Sequence, residues 1–288
     1  MQFTHRRQLA VSLCLALAAF LGLAAAPLLA QGQAVQAQQG PPGQTSQMLP
    51  QAHAHNDYLH SRPLLDALER GFGSVEADIF LVDGALQVAH TRKELEPERT
   101  LQSLYLDPLK ARVAQHQGSV YGDGTTFTLL IDIKTDAEST YRALHDLLAQ
   151  YSSLLTRAKG TQLQPGAVAV IVSGNRPIEL IRQTTPRYVG IDGRLSDLDS
   201  DLSASLMPLI SDNWRLHFSW RGQGEFSLAE QQKLKDIIAQ THARHRRLRF
   251  WGTPDSPAMW SVLRDAGVDF INTDDLQGLS KFLRTDQH

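Results

Sequence analysis

The sequence predicts one α/β domain, a single TIM-type (β/α)8 barrel. Three observations lead there. Eight short apolar segments alternate with amphipathic stretches. Several of the segments, such as Ala167 to Val172, are near-continuous apolar runs, as parallel strands buried on both faces require. The chain that follows the N-terminal leader, residues 38–288 if cleavage falls after Ala37, matches the about 250 residues one such barrel needs. An open doubly wound sheet is the structural alternative. No glycine-rich phosphate loop follows a strand, which weakens a nucleotide-binding version of it.

The elements follow in order. Residues 1–8 are polar and carry Arg6 and Arg7, and residues 9–30 are almost wholly apolar. Small-residue cleavage sites come next, the three-part layout of an export signal, so residues 1–37 are expected to be a signal peptide and the protein to be exported, periplasmic or secreted. An uncleaved anchor is the alternative, since the apolar stretch is long enough to span a bilayer. Residues 38–50, rich in Gln, Gly and Pro, read as a flexible linker, and 51–288 as the barrel. Strands are expected at 51–57, 74–80, 126–133, 167–173, 188–192, 207–211, 247–252 and 269–273. Helices are expected at 63–70, 138–157, 175–184, 228–245, 256–266 and 276–284. Ser227 with Glu230 forms a capping-box signature, and Asp83-Gly84 a hairpin turn.

Lys plus Arg is 28 and Asp plus Glu is 30, a net charge of −2 that argues against a nucleic-acid partner. Apolar residues at 42% and charged residues at 20% suit a folded domain. The single cysteine, Cys14, lies in the leader, so the mature chain has neither disulfide nor cysteine nucleophile. No other segment is long and apolar enough to cross a membrane. The basic stretch His242 to Arg249 reads as the solvated end of a helix running into the seventh strand; anionic lipid headgroups are its alternative partner.

The chemistry-bearing residues gather at strand ends, where barrels place their sites. Glu76 and Asp78 are two apart on a strand, so both point to one face while Val75, Ala77 and Ile79 point to the other. Asp132 and Lys134 repeat the spacing on the next strand, about 4.8 Å away. Three converging carboxylates repel unless a cation neutralises them, and all-oxygen ligation selects one hard divalent cation, Mg²⁺ or Ca²⁺. The alternative is three unrelated acids paired with arginines, since Glu-x-Asp is common by chance. Of eleven histidines, two flank this place. His55 ends the first strand and His90 follows the hairpin; two imidazoles beside a metal–carboxylate cluster suit acid–base work. His53 shares the parity of His55, and pattern alone does not separate them.

In these residues the chain resembles the PLC-like phosphodiesterase superfamily, which includes glycerophosphodiester phosphodiesterases and sphingomyelinase D enzymes. The resemblance rests on His55, Glu76-x-Asp78, His90 and Asp132-x-Lys134, and on the ending Trp251-Gly252-Thr253 with Gly267 to Asp274. His55-Asn56-Asp57-Tyr58, Arg62-Pro63-Leu64, Leu104 to Leu109 and Asn272 to Asp275 are similar to the altered inheritance of mitochondria protein 6 branch. The resemblance implies a TIM barrel with Glu76, Asp78 and Asp132 as metal ligands and His55 and His90 as the acid–base pair. It further implies Lys134 as a catalytic cation, with Asn56 and Trp251 on the substrate side. A phosphodiester substrate is implied, glycerol-based or phospholipid-type. Asn56 stands where glycerophosphodiesterases usually have Arg, and Asp132 where they usually have Glu. The alternatives are an exported barrel that binds phosphodiesters without turnover and a metal-independent phosphoinositide-cleaving enzyme in which cationic side chains replace the ion.

Overall fold

The computed structural model describes residues 47–160 and 162–285. The expected signal peptide, most of the linker and Cys14 lie outside the described residues. Eight parallel strands form the barrel: β1 (Leu49–Ala54), β2 (Phe72–Val82), β4 (Phe127–Ile133), β7 (Val168–Gly174), β8 (Val189–Gly193), β9 (Leu209–Asn213), β10 (Arg247–Trp251) and β11 (Phe270–Thr273). The sheet runs in that order and closes on itself, because β1 pairs in parallel with both β2 and β11. All eight strands fall where the apolar runs put them. β1 starts at Leu49, inside the stretch expected as linker, because Leu49 is buried and its N–H is held by the carbonyl of Gly71 at 2.7 Å.

β3 (Ala85–Val88) returns antiparallel along the outer end of β2. The expected hairpin is present, with Asp83 and Gly84 both at positive φ. Asp tolerates and Gly favours that conformation, which matches the twist of the paired strands. A short hairpin, β5 (Arg157–Lys159) and β6 (Gln162–Gln164), lies apart from the barrel sheet.

The helices are α1 (Leu65–Glu69), α2 (Asp107–Gln115), α3 (Ala137–Ala149), α4 (Ile178–Gln183), α5 (Trp214–His217), α6 (Leu228–Ala243), α7 (Pro257–Ala266) and α8 (Leu276–Thr285). The expected helix over 138–157 stops at Ala149. Tyr151, Leu154 and Leu155 are buried too, so the apolar spacing continues into a non-helical turn that mimics a longer helix. α2 was not expected from pattern, and its only buried residue is Leu109. Ser227 caps α6 by accepting from Glu230 N. The capping box is not completed, because the Glu230 carboxylate accepts instead from Ser219 N and Oγ.

Two cores result. Between barrel and helices lie the outward residues of the strands, including Val75, Ala77 and Ile79, as the spacing requires. Inside the barrel a separate apolar cluster, Leu130, Ile171, Leu209 and Phe270, forms a plug. The rest of the buried interior is polar: His53, Ser74, Glu76, Ser173, Asp192, Ser211, Arg249 and Asn272. The basic stretch does not form one solvated helix end. Arg246 is buried, donating to the carbonyls of Asp197, Ser200 and Leu202, and Arg249 points into the barrel. Strand parity, not the helix dipole, places the last part of that stretch.

Candidate active site

Glu76, Asp78 and Asp132 meet at the C-terminal mouth of the barrel. The register sets Asp78 directly beside Asp132, with Glu76 one interior step below. One carboxylate oxygen from each lies within 4.8 Å of the others. Asp78 Oδ1 and Asp132 Oδ1 are buried and have no hydrogen-bond partner. Buried acceptors of this kind are costly to leave unfilled. A hard cation with oxygen ligands is what they fit, so these three residues could hold a metal.

Charge at the mouth is partly balanced from within. Arg249 Nη2 donates to Glu76 Oε2 at 2.6 Å. Lys134 Nζ lies 3.1 Å from Asp78 Oδ2 and 3.0 Å from Asp132 Oδ2. Burial would raise the Glu76 pKa, but the Arg249 guanidinium and His53 hold it far below the carboxylate range. Burial, then the Glu76 charge, pushes Asp78 up to about 6, and burial likewise raises Asp132 despite Lys134. The two aspartates therefore carry the uncompensated charge.

The two histidines separate clearly. His53 is fully buried below the mouth, with Nδ1 2.8 Å from Ser74 Oγ and Nε2 3.4 Å from Glu76. Burial and then Arg249 lower its pKa to about 3, so it is neutral and supports Glu76 from beneath. His55 lines the mouth cleft together with Asn56, His90, Lys134 and Trp251, around a cavity of about 190 Å³. Its Nδ1 lies 2.8 Å from Asp274 Oδ1. Burial would lower the His55 pKa, but this hydrogen bond and the Glu76 charge raise it overall. His90 is more than half exposed, at 52% of its side chain, and its Nδ1 lies 3.0 Å from the Tyr58 hydroxyl. That hydroxyl is 2.7 Å from Asp78 Oδ2. Each imidazole thus has Nδ1 engaged by an orienting group, leaving Nε2 for the cleft.

Asn56 sits in the left-handed region at φ 48, a conformation Asn tolerates better than most residues. Its side chain contacts His55, Asp274 and Tyr58, tying the two histidine supports together. The Arg194 guanidinium stacks 5.0 Å over the Trp251 ring and reaches Asp192 Oδ2 at 3.0 Å. Behind Asp132 stands Gly174 at φ 66, where a Cβ would come within 2.0 Å of Asp132 Oδ1. All eight residues singled out from sequence line this one cleft. Arg249, Tyr58 and Arg194 were missed as site residues. Arg249 shares the inward parity of Trp251 on its strand, which was the available signal; Tyr58 stood in the quoted segment His55 to Tyr58 without a role, and Arg194 directly follows the end of β8.

The chain matches the AIM6-like phosphodiesterase domain over residues 44–192 and the glycerophosphoryl diester phosphodiesterase family over residues 247–277. It is 34% identical to altered inheritance of mitochondria protein 6 of Eremothecium gossypii over 273 residues, covering 82% of this chain and 70% of that one. The homolog from Arthroderma benhamiae is 28% identical, covering 78% and 81%. Among solved structures, a calcium-dependent phosphoinositol-specific phospholipase C from a Pseudomonas species superposes with a TM-score of 0.55 at 13% identity, covering 82% and 93%. A glycerophosphodiester phosphodiesterase from Agrobacterium tumefaciens gives 0.50 at 14%, covering 82% and 100%. These two likenesses are of fold, and the family rests on sequence: the chain belongs to the AIM6-like phosphodiesterase domain family.

Proposed function

We propose that this protein is an exported, metal-dependent phosphoric diester hydrolase acting on a glycerophosphodiester or phospholipid-type substrate. One observation carries the reading: three carboxylates within 4.8 Å at the barrel mouth, two of them with unfilled buried oxygens, flanked in one cleft by His55 and His90. Membership of a phosphodiesterase domain family supports it.

Glu76, Asp78 and Asp132 would hold one Mg²⁺ or Ca²⁺, which when bound neutralises charge building on a non-bridging phosphate oxygen. Arg249 and His53 fix Glu76, and Tyr58 fixes Asp78. Lys134 steadies both aspartates and adds positive charge beside the phosphate. One imidazole takes the proton of the attacking hydroxyl, of water or of a neighbouring group on the substrate. The bond from phosphorus to the leaving oxygen breaks, and that oxygen takes a proton from the other imidazole. Asp274 and Tyr58 hold the two rings for this exchange. Trp251 and Asn56 border the leaving-group side.

The ion pairs of Lys134 and Arg249 favour one second reading, in which these cations replace the metal. Chelated and reloaded protein, assayed against a panel of glycerophosphodiesters and phospholipids, separates the readings. Product only from reloaded protein supports the proposal. Product from chelated protein supports the metal-independent enzyme, and tight binding without product supports a non-catalytic binding protein. Among the described residues no helix is long and apolar enough to cross a membrane.

A further inference from the structure

The opposite end of the barrel holds a larger cavity, of about 310 Å³, at the starts of β4, β7, β8, β9 and β10. That volume falls at the low end of the about 300–1,000 Å³ of small-molecule sites. The apolar plug separates it from the mouth cleft, with Ile171 belonging to the plug and also lining the cavity. Its walls are mainly apolar, including Leu163, Pro165, Ala169 and Pro208.

Two guanidinium groups line this cavity, and neither has a carboxylate partner among the described residues. Arg187 is buried and donates one N–H each to the carbonyls of Val189 and Ser205, so it brings charge with part of its donor set engaged. Arg247 points inward from β10, with its guanidinium 4.5 Å from the centroid of the Phe270 ring. Among the described residues its side chain makes one hydrogen bond, at 3.3 Å to Thr128 Oγ1. The nearby acid, Asp269, is occupied by His242 Nε2 and Leu248 N, each at 2.8 Å. A half-buried guanidinium with donors to spare favours an anion. Burial depresses the pKa values of both arginines, with Asp269 offsetting only part of the effect at Arg247.

We infer that this floor cavity is a second binding site, for an amphipathic organic anion whose head pairs with Arg247 and whose short apolar chain packs against Ala169, Ile171 and Pro208. The head is a carboxylate or a phosphate monoester, two sources of one chemistry. The site does not depend on the reaction proposed for the mouth.

Calorimetric titration of the full chain tests it with four probes: octanoate, octyl phosphate, octanol and inorganic phosphate. The first two should bind saturably, with octanol and inorganic phosphate at least about tenfold weaker. The tighter of the two tailed anions names the head. Arg247→Met should weaken octanoate by about tenfold or more, since it removes a charge-assisted contact and keeps the stem. Ala169→Leu, which fills the cavity from another wall, should do the same and covers the case in which Arg247→Met does not fold. Lys134→Met, at the mouth, should leave octanoate binding unchanged. No saturation by about 10 mM would overturn the inference. So would equal binding of inorganic phosphate, wild-type affinity in Ala169→Leu, or loss of octanoate binding in Lys134→Met.

Discussion

At the mouth of the barrel, Glu76, Asp78 and Asp132 face Arg249 and Lys134, three acids to two bases. At the floor, Arg187 and Arg247 form no ion pair within 4.0 Å among the described residues, Asp269 being held by His242 and Leu248 N. Both sets stand on or beside strands of one barrel, and Arg247 and Arg249 are two apart on the same strand. Between them lies the plug of Leu130, Ile171, Leu209 and Phe270. An apolar layer keeps the two polar regions from neutralising each other, so each retains an excess of one sign. The excess is negative where oxygens are left unfilled and positive where guanidinium donors are left free. A cation suits the first, and an anion the second.

The mouth half of this contrast breaks most sharply at its histidines. Replacing His55 or His90 singly with Ala should reduce turnover by about 10²–10⁴-fold, the usual worth of a general acid or base. Near-normal steady-state rates in either variant would remove that residue from its role. Arg249→Met should cost about 3–5 kcal/mol of stability in urea unfolding, because Glu76 would remain buried with only the neutral His53 beside it and no counter-charge. An unchanged midpoint would mean that water reaches Glu76. Gly174→Ala should weaken metal affinity by about 10–100-fold, as a Cβ there displaces Asp132 without altering any ligand. Titration of the metal into the variant, with wild-type affinity as the contrary result, checks this.

How much of this was legible follows from physics that acts locally. The strands were readable because parallel strands are buried on both faces and run apolar without a break. The convergence of Glu76, Asp78 and Asp132 was readable because side chains two apart share a face. The Glu76–Arg249 pair was not, since its partners lie 173 residues apart and Arg249 hides at the end of a basic run. The order of His53 and His55 could not be read from parity. Depth decides it, and depth depends on how far β1 extends past its neighbours. Tyr58 reaches the site through a left-handed turn at Asn56 that no periodicity signals.

A smaller effect sharpens the contrast between charge held for chemistry and charge held for structure. Asp57 is fully buried and accepts from Leu64 N and the Tyr105 hydroxyl, with Oδ1 unpartnered. Burial pushes its pKa from the ordinary 3.8 up to about 7. A raised carboxyl pKa favours the protonated fold, so its stabilisation is present below about pH 4 and is lost as pH rises through 7. Unfolding free energies from urea titration should therefore show a loss of about 2–3 kcal/mol between pH 5 and 8 that is absent in Asp57→Asn. Parallel pH profiles for the two proteins would contradict this.

The metal decides most. Exhaustively chelated protein should lose at least about 10²-fold in phosphodiester turnover, recover it on addition of Mg²⁺ or Ca²⁺, and fail to recover in Asp132→Asn. Turnover undiminished by chelation would show that the three carboxylates do not work through a cation.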